Sequence, residues 1–189
     1  MKSTISKWER EDGKKFLKKI GIRTGQIVLD FGARVGHYSI PAAYAVGSSG
    51  LVYAVDKDRR ELDELDWKIK DLNLENIKIV RTDGRLAFDF KNESIDVVLF
   101  YDVLHYLERS EREKLYIETY RILKANGLVS VYPKHVIEDF PLDHFQHIHL
   151  KDAKKEIQDL NFKFQKKYCD MISHDDSIAP GCVFNFVKG

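Results

Sequence analysis

Five short apolar runs, each followed by an amphipathic stretch, limit the fold of this chain more than any other feature of its sequence. Each run is about five residues long, is rich in Val, Ile, Leu and Phe, and shows no polar alternation. Runs of this kind are typical of strands that are buried on both faces of a parallel sheet. The five predicted strands are Ile27–Phe31, Leu51–Val55, Ile77–Val80, Ile95–Phe100 and Leu128–Tyr132.

The stretches between the strands have helical periodicity. The segment Glu61–Leu72 places four leucine and isoleucine side chains on one face. A second helix is predicted to begin at Ser110, where Glu113 completes a capping box, and to end at Asn126-Gly127. Three further helices are predicted over Glu11–Ile20, Tyr38–Val46 and Lys151–Leu160.

The end of the chain breaks this alternation, because Phe162–Cys169 and Val183–Val187 follow one another without an intervening helix. We expect them to pair as an antiparallel hairpin at one edge of the sheet. The predicted fold is therefore α/β, a Rossmann-like, doubly wound, mostly parallel sheet with an antiparallel C-terminal hairpin. The 189 residues suit one domain over 1–189, in which residues 1–25 form an N-terminal helix and a possible lid.

Composition narrows the possible partners and locations. The 31 basic and 30 acidic residues are interleaved, so the net charge is only +1 and no basic tail points to a nucleic acid. No apolar stretch resembles a signal peptide or a membrane span, and we expect a cytoplasmic protein without a membrane partner. Cys169 and Cys182 are interpreted as reduced thiols, although they could face each other across two late strands. The sequence leaves the oligomeric state open.

Ligands of open α/β sheets bind beyond the carboxyl ends of the strands, so the residues after each strand are the candidates for a site. The first strand is followed by a turn that contains Gly32 and Gly36 and leads into a helix N-terminus. Glycines at such a turn let the backbone bend sharply and lie close to a ligand. A glycine loop alone is weak evidence, because any tight strand-to-helix turn can require one.

Carboxylates after three successive strands strengthen the prediction. Asp56 lies 20 residues beyond Gly36, a spacing typical of a carboxylate that accepts hydrogen bonds from a ribose diol. Asp83 follows the third strand and could accept a hydrogen bond from an exocyclic amine, and Asp102 follows the fourth. Each residue alone could be a solvated helix cap. Together with the glycine loop, the set indicates a nucleotide-like ligand.

The segment VLDFGARVGHYSIPAAYAVGSSGLVYAVDKD resembles the nucleotide-binding motifs of class I S-adenosylmethionine-dependent methyltransferases. RTDGRLAF, IDVVLFYDVLHYL and RILKANGLVSVY are similar to the later motifs of that family, so the resemblance covers almost the whole chain. It implies S-adenosylmethionine as cofactor, with the methionine end held by Asp30 and the glycine loop, the ribose by Asp56 and the adenine by Asp83. The implied cofactor-binding residues are Asp30, Gly32, Ala33, Arg34, Gly36, Asp56, Lys57, Asp83, Gly84 and Tyr101.

Arg34 departs from the family pattern, which commonly has a third glycine at this position. One interpretation is that its side chain points to solvent or pairs with an acid such as Asp30. The other is that the arginine weakens cofactor binding or grips a ligand carboxylate. A NAD-binding Rossmann domain is the nearest competing family, but this loop is G-x-x-x-G and lacks the middle glycine of G-x-G-x-x-G.

A small-molecule acceptor is the expected substrate. The Asn-Pro-Pro-aromatic signature of amine and nucleobase methylases is absent after the fourth strand, and neither cysteine lies where cytosine-C5 methylases keep theirs. No catalytic residue is predicted, because an in-line methyl transfer depends mostly on positioning and on shielding from water. Two segments without a role in the sheet, Ser3–Arg10 and Pro133–Leu150, are expected to order over the substrate. The candidate substrate residues are Trp8, His105, Tyr106 and His135.

Two questions remain open at this point. His144, His147 and His149 form an H-x-x-H-x-H pattern, which we interpret as surface histidines, so no metal is predicted. The alternatives to a small-molecule methyltransferase are a catalytically silent S-adenosylmethionine-binding module and an RNA or protein methyltransferase. An RNA methyltransferase would need a basic rim, to which Lys7, Arg10, Arg34 and Lys134 are the obvious contributors.

Overall fold

The computed structural model describes residues 4–139 and 148–189 as seven strands and six α-helices. The strands are β1 (Ile27–Phe31), β2 (Leu51–Asp56), β3 (Ile77–Arg81), β4 (Ile95–Tyr101), β5 (Leu123–Tyr132), β6 (Phe162–His174) and β7 (Ser177–Lys188). The helices are α1 (Thr4–Lys7), α2 (Gly13–Lys19), α3 (Ser39–Val46), α4 (Arg59–Asp71), α5 (Arg109–Ile122) and α6 (Leu150–Asp159). A π-helical turn, Trp8–Asp12, joins α1 to α2, and a 3₁₀ turn spans Leu104–Tyr106.

The chain divides into two compact units. The first, called here the N-terminal unit, comprises Met1–Gly84 and Cys169–Gly181. The second, the C-terminal unit, comprises Arg85–Tyr168 and Cys182–Gly189.

The N-terminal unit contains a parallel three-stranded arrangement in which β2 lies between β1 and β3. Asp30 of β1 is in register with Ala54, and Asp56 at the end of β2 is in register with Arg81. Val28 and Leu29 in β1 are fully buried, as expected for a strand covered on both faces. The register brings the carboxyl ends of the three strands, with the residues that follow them, to one edge of this unit.

The C-terminal unit combines a parallel and an antiparallel pairing. Strands β4 and β5 run parallel, with Tyr101 opposite Tyr132, and β7 runs antiparallel to β5, with Phe186 opposite Val129. Helix α5 packs on this unit through a set of buried side chains. They include Leu115, Thr119 and Ile122, and the next residue, Leu123 at the start of β5, is buried as well.

The strand order is β3-β2-β1-β4-β5-β7-β6. The crossover from β3 back to β4 reverses the strand order, which is the defining feature of a doubly wound sheet. The predicted fold class, a mostly parallel Rossmann-like sheet with antiparallel C-terminal strands, is confirmed. The hairpin is longer than expected, because β6 extends to His174 and β7 begins at Ser177.

The start and end of α5 differ from the prediction. The capping box is formed by Glu108 and Glu111 instead of Ser110 and Glu113, so the helix begins at Arg109. It ends at Ile122, and β5 begins directly at Leu123. The pairing of β4 with β5 shifts register between Ile95 and Val97, and Asn126 adopts a left-handed φ of 60°. The Asn126-Gly127 turn signal therefore marks an irregularity inside the strand and not the helix end.

Two other expectations are changed by the structure. The N-terminal helical segment begins at Thr4, earlier than the predicted Glu11, because a π-helical turn continues α1 into α2. Cys169 and Cys182, the two cysteines of the chain, are disulfide-bonded, so the interpretation as reduced thiols is wrong for this structure. Among the helices of the described residues, none has the length and apolar character needed to cross a membrane.

Candidate functional site

The loop between β1 and α3 (residues 32–38, called here the β1–α3 loop) has the backbone shape that its glycines predict. Gly32 and Gly36 have φ values of 83° and 91°, in the left-handed region that glycine adopts without strain. The N–H groups of Gly32 and Ala33 both donate to the Val55 carbonyl, at 2.9 and 3.1 Å. A Cβ atom on Gly36 would collide with the buried Leu65 side chain, so this glycine also permits close packing.

Asp30, the fourth residue of β1, is a buried carboxyl that is 2% exposed. It accepts a 2.6 Å hydrogen bond from the Ser39 hydroxyl at the start of α3. Burial raises the pKa of Asp30 to about 7, with a further increase from the Asp56 charge. The Ser39 hydrogen bond and the nearby His37 oppose that rise in pKa. A carboxyl in this condition is poised to ionise when a cationic group binds next to it.

Asp56 holds the β1–α3 loop in place and is also a candidate for binding a ligand. One carboxylate oxygen accepts the backbone N–H of Arg34 at 2.8 Å, and the other accepts that of Asp58 at 2.9 Å. Each carboxylate oxygen can accept a second hydrogen bond, so this arrangement still leaves capacity for a diol. Asp56 therefore joins the end of β2 to the β1–α3 loop and to the N-cap of α4.

Arg34 has a left-handed φ of 46°, which explains why a glycine would suit this position. Its guanidinium lies 3.2 Å from an Asp175 oxygen and 3.6 Å from a Glu61 oxygen. The interpretation that this side chain pairs with an acid is therefore supported, but the acids are Asp175 and Glu61 and not Asp30. The other interpretation, an effect on ligand affinity, stays a prediction.

The residues after β2 and β3 lie on the surface of the N-terminal unit. Lys57 follows Asp56 and is exposed, and Asp83 and Gly84 are exposed beyond the end of β3. The Thr82 N–H donates to the Asp56 carbonyl at 2.9 Å, which fixes the start of this segment beside β2. A Cβ atom on Gly84 would meet nothing within 4 Å, so the space next to it is open. A planar ring could occupy that space.

Tyr101, at the end of β4, takes part in the packing of the C-terminal unit. It is 4% exposed, its hydroxyl lies 2.8 Å from the Ser130 hydroxyl, and its ring makes an edge contact with Tyr132. The implied role of Tyr101 in cofactor binding therefore has no support from its side chain within this unit.

The candidate substrate residues of the C-terminal unit form one cluster around Asp102. An Asp102 oxygen lies 3.7 Å from His105 Nδ1 and 3.7 Å from His135 Nε2. The His105 ring centroid is 3.9 Å from that of Tyr106 and 4.6 Å from that of His135. Asp102 and His135 both adopt left-handed φ values, 56° and 54°, a strained conformation that is frequent at functional sites. His105 is buried, whereas 61% of Tyr106 is exposed.

Trp8 is a core residue and not a mobile lid residue in this structure. It is 2% exposed, and its ring packs against Phe16 and Tyr38. Its Nε1–H donates to the His37 carbonyl at 2.7 Å. The prediction that Trp8 contacts substrate is therefore not supported by its position. Among the loop histidines, His144 and His147 lie outside the described residues, and His149 contacts Glu138 at 3.0 Å.

The sequence reasoning missed a buried set of charged residues that supports the β1–α3 loop. Glu9 and His37 are both buried, and Glu9 Oε1 lies 3.0 Å from His37 Nδ1. Lys68 of α4 donates to Glu9 and to the Val35 carbonyl. The only signal in the sequence was that His37 directly follows Gly36, since Glu9 and Lys68 are distant along the chain.

Residues 28–127 of the chain match the methyltransferase domain family. The chain belongs to that family. A demethylmenaquinone methyltransferase from Lactobacillus johnsonii is 30% identical over 118 residues, which cover 62% of this chain and 48% of that protein. A probable cobalt-precorrin-6B C(15)-methyltransferase from Sulfurisphaera tokodaii is 22% identical over 116 residues, which cover 61% and 57% of the two chains. This methyltransferase-domain chain thus spans about half the length of the curated relatives it matches.

A solved structure gives the same result for the fold. A SAM-dependent methyltransferase from Aquifex aeolicus superposes with a TM-score of 0.77 at 20% identity, over 97% of this chain and 93% of that one. The predicted family and its cofactor, S-adenosylmethionine, are confirmed at the level of this methyltransferase-domain family.

The N-terminal unit fits S-adenosylmethionine by the chemistry of its groups. The buried Asp30 carboxyl suits the cationic methionine end, because burial raises its pKa and a cation bound next to it would favour the ionised form. The Asp56 carboxylate suits a ribose diol, and the open space beside Gly84 suits the adenine ring. These are the residues of the methyltransferase domain that would hold the cofactor.

Proposed function

We propose that this protein transfers a methyl group from S-adenosylmethionine to a small-molecule acceptor. The observation that carries the proposal is the buried Asp30 carboxyl beside the β1–α3 loop, which matches a cationic ligand, together with membership of the methyltransferase domain family. The bound cofactor supplies an electrophilic methyl group. The protein residues bind and orient it, and they exclude water from the reacting atoms.

Each cofactor-binding residue has a separate part in this proposal. Asp30 accepts from the ammonium group of the methionine end, and Asp56 accepts from the ribose hydroxyls while it continues to hold the Arg34 backbone. Asp83 accepts from the adenine amine. Ala33, Gly32 and Gly36 keep the loop narrow enough for the ligand to lie against the backbone. We assign Lys57 to the ribose as well, because it directly follows Asp56.

We place the acceptor at the cluster of Asp102, His105, Tyr106 and His135. Strained backbone at Asp102 and His135 and the exposed Tyr106 ring support this assignment. An imidazole beside a carboxylate is suited to removing a proton from an acceptor that arrives protonated, since the carboxylate stabilises the imidazolium. His135 is more accessible than His105, with 22% against 1% side-chain exposure, so His135 is the residue assigned to that step.

A small acceptor is favoured over a nucleic acid by the pairing of the basic residues that would form a rim. Each of the four has an acidic neighbour: Lys7 with Asp12, Arg10 with Asp71, Arg34 with Asp175 and Lys134 with Asp139. These acidic neighbours compete with a phosphate backbone for the basic side chains. The names of the curated relatives, which refer to demethylmenaquinone and cobalt-precorrin, also support a small-molecule acceptor.

We further propose that the chain acts as the single domain that its length predicts, because the family match runs through sequence from both units. A cytoplasmic location stays a proposal, and the pairing of the two cysteines is the observation that argues against it. The disulfide of Cys169 and Cys182 makes that location testable, since such bonds are rare in reducing compartments. Thiol alkylation and mass spectrometry of protein isolated from its native cells would show whether the two cysteines are disulfide-bonded or reduced.

Two experiments test the main proposal. Calorimetry of the purified protein with S-adenosylmethionine should show binding in the micromolar range that is typical of enzyme cofactors. Incubation with methyl-labelled cofactor and fractionated cell extract should then place the label in the small-molecule fraction. Label only in RNA or protein would reassign the acceptor, and binding without transfer to any fraction would indicate a catalytically silent module. Absence of binding at millimolar ligand would refute the proposal.

A further inference from the structure

His37 is a buried residue that lies between charged groups, and the proposed cofactor contacts do not use it. Its Nδ1 is 3.0 Å from a Glu9 oxygen and its Nε2 is 3.2 Å from an Asp176 oxygen. Glu9 belongs to the π-helical turn near the N-terminus, whereas Asp176 lies in the turn between β6 and β7. His37 therefore bridges two segments that are far apart in sequence but lie in the same N-terminal unit.

The chemistry of this bridge depends on the protonation state of the imidazole. Burial alone would raise the pKa of Glu9. The hydrogen bond from His37 and the Lys68 charge outweigh burial and lower that pKa, so Glu9 is a carboxylate that accepts from Nδ1. A neutral imidazole that donates through Nδ1 has only a lone pair on Nε2, which faces the Asp176 carboxylate. Only the imidazolium donates to both acids.

The β1–α3 loop is fixed by the same groups. The Trp8 indole donates to the His37 carbonyl at 2.7 Å, and the Lys68 ammonium donates to the Val35 carbonyl at 3.2 Å as well as to Glu9. The next loop residue, Tyr38, donates its hydroxyl to the Ser173 carbonyl at 2.6 Å. The loop that carries the proposed cofactor contacts is thus held by the N-terminal segment, α4 and the β6–β7 hairpin.

The charged groups that face His37 come from four elements. They are Glu9 in the π-helical turn, Lys68 in α4, Asp176 in the hairpin turn and Asp30 in β1. Three of these are acids, so the surroundings of the imidazole are net negative. The His37 charge also favours the ionised form of Asp30, because it lowers the pKa that burial raises. Ionised Asp30 is the form that accepts from the methionine ammonium.

We propose that His37, in its protonated form, is a positioning residue that bridges Glu9 and Asp176 and so holds the β1–α3 loop in its cofactor-binding shape. The inference rests on the proposed function and assigns a further residue to the same site. His37 acts through the loop and through Asp30, and it is not itself a catalytic residue.

The test compares His37→Asn with the wild type at two pH values. The asparagine side chain keeps a donor in the position of Nδ1 for Glu9 but carries no charge and has no second donor for Asp176. S-adenosylhomocysteine is the probe, and calorimetry gives its Kd at pH 5.5 and pH 9. The ratio of the variant Kd to the wild-type Kd is used at each pH, because direct pH effects common to both proteins, including the titration of the probe, largely cancel in this ratio.

The expected ratio for His37→Asn is about five to ten at pH 5.5 and close to one at pH 9. Asp176→Asn should give a ratio of about two to three at pH 5.5 and one at pH 9, because this side chain is exposed and its ion pair is weaker. His149→Gln is the matched control, since His149 forms a comparable pair with Glu138 in the C-terminal unit. Its ratio should be one at both values.

A ratio for His37→Asn that is equal at pH 5.5 and pH 9 would overturn the proposal, since a purely structural role does not depend on the imidazole charge. A wild type that binds no probe would count against the proposed function instead. In that case a double-mutant cycle of His37→Asn and Asp176→Asn on thermal unfolding decides the inference without ligand. Coupling between the two sites at pH 5.5 that disappears at pH 9 supports the bridge, and no coupling at pH 5.5 refutes it.

Discussion

Replacement of Asp30 by asparagine should stabilise the fold and weaken cofactor binding at the same time. The pKa of this carboxyl is raised from its ordinary value of 3.8 to about 7, chiefly by burial. This rise corresponds to about 4 kcal/mol of difference between the protonated and ionised forms, as an order of magnitude. Asparagine is neutral at every pH and can keep the Ser39 hydrogen bond. The variant therefore avoids the cost of an ionised carboxyl in the core.

The direction in which the stability of the fold changes with pH follows from proton binding by Asp30. Between pH 4 and pH 7 the folded wild type holds a proton on Asp30 that the unfolded chain has lost, so wild-type stability falls as the pH rises through this window. Asp30→Asn should lack that fall. Its advantage in the free energy of unfolding is near zero at pH 4 and grows to about 2–4 kcal/mol above pH 7. The melting temperature at pH 8 should rise by about 2–4 °C for each kcal/mol.

Asp30→Asn should stabilise the fold but weaken the binding of S-adenosylmethionine. Loss of a charge-assisted hydrogen bond of about 1.5–3 kcal/mol should weaken S-adenosylmethionine by tenfold or more. Wild-type binding near pH 7 should also release a proton from Asp30, which calorimetry in buffers of different ionisation enthalpy detects. Asp63→Asn, a change at an exposed aspartate of α4, is the control for both measurements. Equal pH dependence of stability in Asp30→Asn and the wild type would refute the reasoning about burial.

Three further changes test the remaining assignments. Asp56→Ala should weaken cofactor binding by at least tenfold in a folded protein, because the ribose contacts and the hydrogen bond to the Arg34 backbone are both lost; unchanged affinity by calorimetry would contradict the assignment. Arg34→Gly should change the free energy of unfolding in urea by less than about 1 kcal/mol, because relief of the left-handed φ offsets the loss of two ion pairs. A larger loss of stability would show that these ion pairs stabilise the fold. Trp8→Ala should destabilise the fold by about 3–5 kcal/mol, as expected for a buried aromatic ring. If the variant keeps its stability and loses only affinity for the acceptor, Trp8 is a substrate residue.

The strands and the residues that follow them could be predicted because the signals are local. A run such as Ile27–Phe31, apolar except for Asp30, has few alternatives to a buried strand, and β1 has these same bounds in the structure. The spacing between Gly36 and Asp56 likewise depends only on the length of one strand–helix–strand unit. Boundaries were less certain where two signals competed. Asn126-Gly127 is a strong turn signal, yet the pairing of Leu123 with Ile95 ended α5 four residues earlier.

The partners of the β1–α3 loop could not be predicted, because they come from distant parts of the chain. Glu9 and Asp176 are separated from His37 by 28 and 139 residues, and no periodicity links them. The burial of Trp8 could not be predicted for a similar reason. Trp8 lies in a polar, charged N-terminal segment, and its partners in the core, Phe16 and Tyr38, come from other elements of the fold.

The departure at Arg34 follows from the same long-range contacts. A left-handed backbone at this position costs about 1–2 kcal/mol for any residue other than glycine. The Asp56 oxygen that accepts the Arg34 N–H fixes this conformation, and Asp175 and Glu61 offer the side chain two anionic neighbours away from Asp30. The arginine charge is thereby directed toward the hairpin turn and α4. A glycine in its place would remove the strain and the contact with the hairpin together. Arginine at position 34 and acidic residues in the hairpin turn are therefore parts of one arrangement, in which the C-terminal strands help to shape the loop that follows β1.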